Sequence, residues 1–218
     1  MVRKQKDSME TRYEKKIYLS NENYNYFFSN IYLNKLAFSE INKERIVNSL
    51  YFDDVELTSY IDSIEGSNLR KKYRLRWYGK NTRKTKCFLE IKEKFNDVGS
   101  KKLFDIGFID MHSPLKRRLF QNIFKNLKNK NHFESYLLEN YFPILYCSYR
   151  RKYFLSKNKL IRLTVDTNIT YSNVSFLRSL STTKAISYPF CVFEFKYSNN
   201  EKSNKLFENN FFDAQITR

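Results

Sequence analysis

Glycine, proline and histidine are scarce in this chain, which has four, three and two of them among its 218 residues. So few glycines leave no Gly-rich loop of the kind whose backbone amides cradle phosphate, and no Walker-type motif occurs. Two histidines and three widely spaced cysteines cannot provide the ligand spacing of a Cys/His zinc site. Any phosphate must therefore be bound by side chains, and any metal site must be built from carboxylates, which suits Mg²⁺ or Mn²⁺.

Long hydrophobic runs are also missing. No stretch approaches the length of about 18 apolar residues that marks a membrane-spanning helix, and the polar N-terminus lacks the apolar core of a signal peptide. The cysteines, Cys87, Cys147 and Cys191, are odd in number and far apart, which favours a reduced setting with the thiols as small core residues. We therefore predict a cytoplasmic protein, which a membrane-protein partner could associate with a membrane.

Positive charge and aromatic residues are abundant. The chain has 40 Lys and Arg against 23 Asp and Glu, a formal net charge of +17, together with 20 Phe and 17 Tyr. The aromatic residues supply a core, so the chain is not a disordered polycation. The charge predicts a polyanionic partner, which could be nucleic acid, an anionic membrane or a phosphate-rich molecule. Without an internal repeat or a long linker, we expect one domain over residues 1–218, with residues 1–9 as a flexible basic arm.

Charged and apolar residues alternate in the segment Tyr73–Gly79 and again in Phe88–Lys94. Because a strand sends residues i and i+2 to the same side, Arg74 and Arg76 share one face, as do Glu90 and Lys92. The opposite faces are apolar, and a short turn region joins the two runs, so the pattern predicts a β-hairpin with one charged face.

Similar patterns predict further strands and several helices. Strands are expected at 12–19, 45–53, 70–79, 85–95, 144–155, 159–167 and 189–197. Helices are expected at 21–36, 113–127, 132–140 and 200–210, with a turn or short helix at 55–68 and loops at 96–112 and 168–185. The predicted fold is therefore α+β, with a mainly antiparallel sheet or barrel and flanking helices.

If that sheet closes on itself, the charged faces line a tunnel. Its basic lining would comprise Arg12, Lys16, Arg74, Arg76, Lys92, Arg151, Arg162 and Lys196. Its acidic lining would comprise Glu14, Glu90, Asp166 and Glu194. Buried charges of this kind need anions or water, and a phosphate chain with a carboxylate-bound divalent cation would satisfy them. A solvated face of an ordinary half-exposed sheet shows the same alternation, so the pattern alone leaves both interpretations open.

Seven motifs in order carry a resemblance to a known family. They are Arg12-x-Glu14-x-Lys16, Ser49-Leu50-Tyr51-Phe52-Asp53, Tyr73-Arg74-Leu75-Arg76-Trp77-Tyr78-Gly79, Leu89-Glu90-Ile91-Lys92, Tyr149-x-Arg151-x-Tyr153, Arg162-Leu163-Thr164-Val165-Asp166 and Phe193-Glu194-Phe195-Lys196-Tyr197. Together they resemble the VTC-type polyphosphate polymerase domain of the triphosphate tunnel metalloenzyme (CYTH-like) superfamily. The resemblance implies an antiparallel eight-stranded β-barrel, the triphosphate tunnel.

The resemblance also implies an activity and its residues. The terminal phosphate of ATP would pass onto a growing inorganic polyphosphate chain, with Mn²⁺ or Mg²⁺ as cofactor. The implied catalytic, phosphate-holding residues are Lys16, Arg74, Arg76, Lys92, Arg151, Arg162 and Lys196, and the substrate site would also include Arg12 and Tyr149. Glu194 is the implied main metal ligand, with Glu14 and Glu90 as helpers.

Two other functions stay open at this point. Tunnel hydrolases of the CYTH type carry Glu-x-Glu-x-Lys on the first strand, and Arg12 at the first position favours the polymerase, but a hydrolase of inorganic triphosphate or nucleoside triphosphates is the nearest alternative. A non-catalytic module that binds polyphosphate or another polyanion is the second. Nucleic acid is a less favoured ligand because the predicted strands bury their aromatic residues, whereas RNA readers expose them on a sheet.

Overall fold

The computed structural model describes residues 12–80, 83–96, 98–112, 119–120, 140–174, 184–198 and 200–211, and for Arg12 it describes the backbone alone. Nine strands and three helices lie within these ranges. The strands are β1 (Arg12–Ser20), β2 (Ser39–Asp53), β3 (Leu69–Tyr78), β4 (Thr85–Phe95), β5 (Val98–Ile109), β6 (Phe142–Leu155), β7 (Ile161–Asn173), β8 (Ile186–Ser187) and β9 (Phe190–Ser198). The helices are α1 (Asn21–Leu33), α2 (Thr58–Glu65) and α3 (Glu201–Phe211).

The strands form one sheet in the order β1-β9-β7-β6-β2-β3-β4-β5, with β8 beside β7. Pairing is antiparallel between β1 and β9, between β9 and β7, and through the series β2, β3, β4 and β5. The predicted α+β fold with an antiparallel sheet is therefore confirmed, and the two-residue strand β8 is added beside the eight strands that were expected. In this order β1 and β5 are the two end strands.

The chain forms two compact units. Unit 1 comprises Met1–Glu44, Arg151–Thr167 and Pro189–Arg218, and unit 2 comprises Arg45–Arg150 and Asn168–Tyr188. Each unit has its own buried cluster and its own charged strand face. The expectation of a single domain over residues 1–218 stays a prediction.

The core of unit 1 is built on the apolar faces of three strands. Leu163 of β7, Ile17 of β1 and Phe193 of β9 are all fully buried. Helix α1 covers them, and the ring of Phe27 packs edge-on against that of Phe193 with centroids 4.7 Å apart. Phe207 of α3 is buried in the same cluster. Burial of one strand face leaves alternate residues of β1, β7 and β9 on the opposite, charged face.

The core of unit 2 is likewise built from one apolar face of each strand. Leu75 and Trp77 of β3 are buried together with Leu89 and Ile91 of β4. The Trp77 ring stacks on that of Tyr146, with centroids 5.7 Å apart and planes 7° from parallel. The predicted hairpin and its apolar face are confirmed, and the opposite face carries Arg74, Arg76, Glu90 and Lys92.

The expectation of a loop at 96–112 is wrong, because β5 occupies most of this stretch and pairs with β4 along its length. Gly99 and Gly107 suggested a loop. Gly107 instead sits at a register shift between β4 and β5 with a φ of +84°, a conformation that glycine adopts without strain. Residues 168–173, also expected to be irregular, extend β7.

Other expectations have mixed outcomes. Helices predicted at 21–36 and 200–210 are confirmed as α1 and α3. Cys87 and Cys191 are buried and Cys147 is half-buried, all three as free thiols. The predicted helices at 113–127 and 132–140 lie almost wholly outside the described residues, and the arm at 1–9 lies entirely outside them. Among the described residues, no helix has the length and apolar character needed to cross a membrane.

Candidate functional site

The charged face of unit 2 brings together two arginines and a glutamate. In the register of β2, β3 and β4, Tyr51 lies opposite Arg74 and Arg74 opposite Glu90. One row along, Ser49 lies opposite Arg76. Period-two alternation therefore places the predicted residues Arg74, Arg76 and Glu90 on the same face in adjacent rows.

Glu90 is the centre of this arrangement, and its side chain is 3% exposed. Its Oε2 accepts hydrogen bonds from Arg74 Nε at 2.8 Å and Arg74 Nη2 at 2.5 Å. Its Oε1 accepts from Arg76 Nη1 at 3.2 Å and from Lys101 Nζ at 2.8 Å. One carboxylate thus holds three cations in fixed positions, and both of its oxygens are engaged by protein donors.

The electrostatics of the cluster shift the pKa values of Glu90 and Arg74. Burial alone would raise the pKa of Glu90, but Arg74, Arg76 and Lys101 outweigh it and lower that pKa to about 2. Burial would likewise lower the pKa of Arg74, yet Tyr51, Glu90 and Tyr149 raise it overall. The cluster is therefore an ionised group of three cations and one anion, with net positive charge available to a ligand.

Two buried polar atoms beside this cluster have no hydrogen-bond partner among the described residues. They are Arg76 Nε and Ser49 Oγ, on residues that face each other across β2 and β3. Arg76 is 8% exposed and Ser49 is fully buried. A buried donor without an acceptor is costly, so this pair points to an acceptor oxygen that a ligand or water would supply.

Three residues of this face were not predicted as site residues: Ser49, Tyr51 and Lys101. Tyr51 accepts a hydrogen bond from Arg74 Nη1 at 3.2 Å, and Ser49 lies beside Arg76. Both lie in the motif Ser49-Leu50-Tyr51-Phe52-Asp53, and the strand period of two from Ser49 to Tyr51 was a signal that could have placed them on one face. Lys101 was missed because its strand was expected to be a loop.

The charged face of unit 1 is built by β1, β9 and β7. Glu14, Lys196 and Arg162 form one cross-strand row, and Lys16, Glu194 and Thr164 form the next. Lys196 Nζ lies 2.7 Å from Glu14 Oε1 and 3.5 Å from Glu194 Oε2. The predicted metal ligands Glu14 and Glu194 therefore both lie near the ammonium group of Lys196. The two carboxylates already surround a positive charge at this position.

Asp166 and Arg151 extend this face. Arg151 donates from Nε to Asp166 Oδ1 at 2.5 Å and from Nη2 to Oδ2 at 2.6 Å, a bidentate pair. Burial raises the pKa of Asp166, and Glu194 adds to the rise, while Arg151 and Lys16 oppose it. The influence of Glu194 and Lys16 on Asp166 shows that these groups share one electrostatic environment.

The remaining predicted residues differ in exposure. Lys16, Arg162 and Glu14 are exposed on unit 1, and Lys92 is exposed on unit 2, one row beyond Glu90. Tyr149 is buried in unit 2, where it contributes to the raised pKa of Arg74. Of Arg12 the structure gives the backbone position, opposite Ser198 of β9.

The carboxylates differ in their fitness for a metal ion. No cluster of three or more His, Cys, Asp or Glu side chains occurs in the described part of the chain. Mg²⁺ and Mn²⁺ are commonly held by one or two carboxylates that leave sites for phosphate oxygens and water, and Glu194 with Glu14 meets that description. Glu90 fits less well because its two oxygens already accept four hydrogen bonds from cations.

Comparison with protein families gives one match that covers nearly the whole chain: the VTC domain, over residues 11–214. The chain belongs to the VTC-domain family. A comparison with curated protein sequences gives no match.

Solved structures share the fold of this VTC domain at low identity. A putative adenylyl cyclase from Hippeastrum, described as having a dominant triphosphatase activity, is 15% identical with a TM-score of 0.51, over 93% of this chain and 87% of that one. A putative adenylate cyclase from Bacillus halodurans is 13% identical with a TM-score of 0.52, over 97% of this chain and 92% of that one. Both similarities extend over most of each chain, so they concern the whole fold of the VTC domain.

Proposed function

We propose that this VTC domain is a metal-dependent polyphosphate polymerase, which transfers the terminal phosphate of ATP onto a growing inorganic polyphosphate chain. The family membership supports a function on triphosphates, and the charged strand faces supply the chemistry that such a substrate needs. The proposal includes the closed tunnel that the family resemblance implies.

The observation that carries the proposal is the cluster of Arg74, Arg76 and Lys101 around Glu90, with Arg76 Nε and Ser49 Oγ lacking acceptors. Three fixed cations offset by a single carboxylate favour an anion with several oxygens. Guanidinium groups donate to phosphate oxygens in pairs, and an ammonium group adds point charge. We infer that Glu90 is a positioning residue, which orients the two arginines, rather than the metal ligand expected from the sequence.

Unit 1 has a charged strand face of its own, and the proposal gives its residues the following roles. Lys16, Arg151, Arg162 and Lys196 would hold phosphates, with Glu194 as the main metal ligand and Glu14 as its helper. These two carboxylates would hold Mn²⁺ or Mg²⁺, which would supply positive charge to balance the negative charge of the phosphates. Lys196, whose Nζ lies against both carboxylates, would hold a phosphate beside them.

The transfer itself needs no nucleophilic side chain. A terminal oxygen of the polyphosphate chain would attack the γ-phosphorus of ATP in line with the bond to the β–γ bridging oxygen. That bond breaks, its electron pair leaves with ADP, and the chain grows by one phosphate. The arginines and lysines act by holding the reacting groups and balancing their charge.

A tunnel hydrolase is the second candidate. The observation that favours it is the dominant triphosphatase activity described for the Hippeastrum protein of the same fold. In that reaction water would replace the polyphosphate chain as nucleophile, and the same side chains would bind the substrate.

The test is to incubate the domain with ATP and Mn²⁺ and to analyse the products by gel for long phosphate chains and in solution for orthophosphate. We expect chains, and we expect Glu194→Gln to lower their yield at least tenfold. Glu93→Gln is the control. Glu93 lies on the face of β4 opposite to the one that carries Glu90, and it pairs with Lys71 at 2.9 Å. Orthophosphate without chains would support the hydrolase, and binding without turnover would leave a polyanion-binding module.

A further inference from the structure

Five basic residues occupy the two cross-strand rows that follow Glu90 on the charged face of unit 2. Lys72, Lys92 and Lys101 are direct register partners across β3, β4 and β5. Arg70 and Lys94 are partners in the next row, which Gly99 completes on β5. These two rows contain no acidic residue. We call the five residues the basic track.

The opposite face of the same strands is arranged differently. There Lys71 lies opposite Glu93, and Glu93 lies opposite Ser100. The Glu93 carboxylate accepts Lys71 at 2.9 Å and lies 3.8 Å from Lys102. Charge is balanced within the rows of this face, whereas the rows of the basic track bring like charges into register. The track therefore concentrates positive charge on one face of the sheet, an arrangement that favours a polyanionic ligand.

The basic track is accessible and continuous with the cluster at Glu90. Lys72 and Lys92 are exposed, and the Lys101 side chain is 45% exposed while it donates to Glu90. Along β3, the side chains of Arg76, Arg74, Lys72 and Arg70 follow one another on the same face at steps of about 7 Å, or about 20 Å in all. A triphosphate, with its three phosphorus atoms joined through two bridging oxygens, covers only part of this length.

We propose that the basic track is a second anion site, which holds the part of a linear phosphate chain that extends beyond the phosphates bound at Arg74 and Arg76. The inference rests on the proposed function, because it prolongs the same binding face. A phosphate chain fits better than RNA because the two rows contain no aromatic residue on which bases could stack. The track would let the domain retain a long chain between additions.

The test compares two double variants that remove the same charge from the same three-stranded region. Lys72→Gln/Lys94→Gln alters the track, and Lys71→Gln/Lys102→Gln alters the opposite face. Inorganic tripolyphosphate, long-chain polyphosphate and a single-stranded RNA of matched charge are the probes, and Kd is measured by titration calorimetry at several salt concentrations. Melting curves establish that both variants are folded, and the single variants Lys72→Gln and Lys94→Gln replace the double variant if it melts early.

We expect the track variant to weaken long-chain binding at least tenfold more than it weakens tripolyphosphate binding, and to reduce the salt dependence by about one to two ion equivalents. The opposite-face control should change both affinities by less than about threefold. Equal losses of affinity in the two double variants would contradict the proposed anion site. Equal losses of affinity for the short and long probes would contradict it as well. Tighter binding of RNA than of polyphosphate would overturn the assignment to a phosphate chain. Absence of tripolyphosphate binding in the unaltered domain would instead contradict the proposed function.

Discussion

At the scale of single residues, the charged face of unit 2 depends on Glu90. Its carboxylate is nearly inaccessible to solvent and accepts four hydrogen bonds from Arg74, Arg76 and Lys101. A buried carboxylate with three cationic partners orders side chains that would otherwise repel one another. Removing one partner of such a group leaves the others buried without compensation, which costs more than the pair itself contributes.

We predict that Glu90→Gln lowers the free energy of unfolding by about 3 kcal/mol, because three cations then share a neutral amide. Glu93→Gln is the matched control on the same strand. Its salt bridges are partly solvated, so its loss should stay below about 1 kcal/mol. Urea unfolding at pH 7 in a phosphate-free buffer measures both values. Equal losses would show that the Glu90 cluster does not stabilise the fold.

The pH dependence of that difference follows from the direction of the pKa shift. The pKa of Glu90 falls from 4.5 to about 2 on folding, so its stabilising contribution is present above pH 4.5 and is lost as the pH falls toward 2. The stability gap between the unaltered domain and Glu90→Gln should therefore narrow over this interval and stay constant from pH 5 to 7. A gap that widened on acidification would contradict the assigned shift.

The sequence predicted part of this site because a strand has a fixed period of two. The alternation placed Arg74 and Arg76 on one face of β3. It placed Glu90 on the charged face of β4, opposite the apolar face. The alternation gives no interatomic distances. It could not decide whether Glu90 binds a metal ion or pairs with the arginines. Lys101 was unpredictable for another reason: its contact joins residues of different strands, and its strand resembled a loop.

At the scale of secondary-structure elements, the junction between β2 and α2 is held by one buried carboxylate. Asp53 is 1% exposed and ends β2. Its Oδ1 accepts the backbone amides of Asp54 at 3.0 Å and Ser59 at 2.9 Å, and its Oδ2 accepts that of Tyr60 at 3.0 Å. These amides include two from the first turn of α2, which have no partner within the helix. Asp53 thus ties the helix to the strand that carries Ser49 and Tyr51.

We predict that Asp53→Ala costs about 2 kcal/mol of stability, at the upper end of the range for a helix cap, because one buried and two part-buried amides lose their acceptor. Hydrogen exchange should show faster exchange at the amides of Ser59 and Tyr60. Asp54→Ala is the control, since Asp54 accepts one exposed amide, that of Thr58, and should cost less than about 1 kcal/mol. Unchanged exchange at the two amides in Asp53→Ala would refute the capping role.

Elements were predictable where hydrophobic alternation was strong. Strands β3, β4 and β9 bury aromatic and aliphatic residues at every second position, and their predicted limits lie within one residue of the observed ones. Strand β5 is an end strand whose residues are mostly exposed or half-buried, so its pattern is weak and its two glycines dominated the prediction. Pairing with β4, a contact between elements, decides the conformation there.

At the scale of the whole molecule, a net charge of +17 attracts any polyanion and does not by itself define a site. Specific recognition requires that cations be held in place, as Glu90 does in unit 2 and Asp166 does for Arg151 in unit 1. Specific and general attraction can therefore be separated by their dependence on salt and on single side chains. Screening by salt weakens the general attraction of exposed charges most strongly.

We predict that tripolyphosphate at about 100 times its Kd raises the melting temperature, since a ligand of the folded state at that concentration contributes about 2.7 kcal/mol. For a chain of this size the shift should be between about 5 and 10 °C. Sodium chloride at matched ionic strength should give a much smaller shift. Arg74→Ala should remove most of the shift, whereas Lys71→Ala, which alters the opposite face of β3, should preserve it. An equal shift with chloride, or an undiminished one in Arg74→Ala, would mean that the stabilisation is general screening rather than binding at the Glu90 cluster.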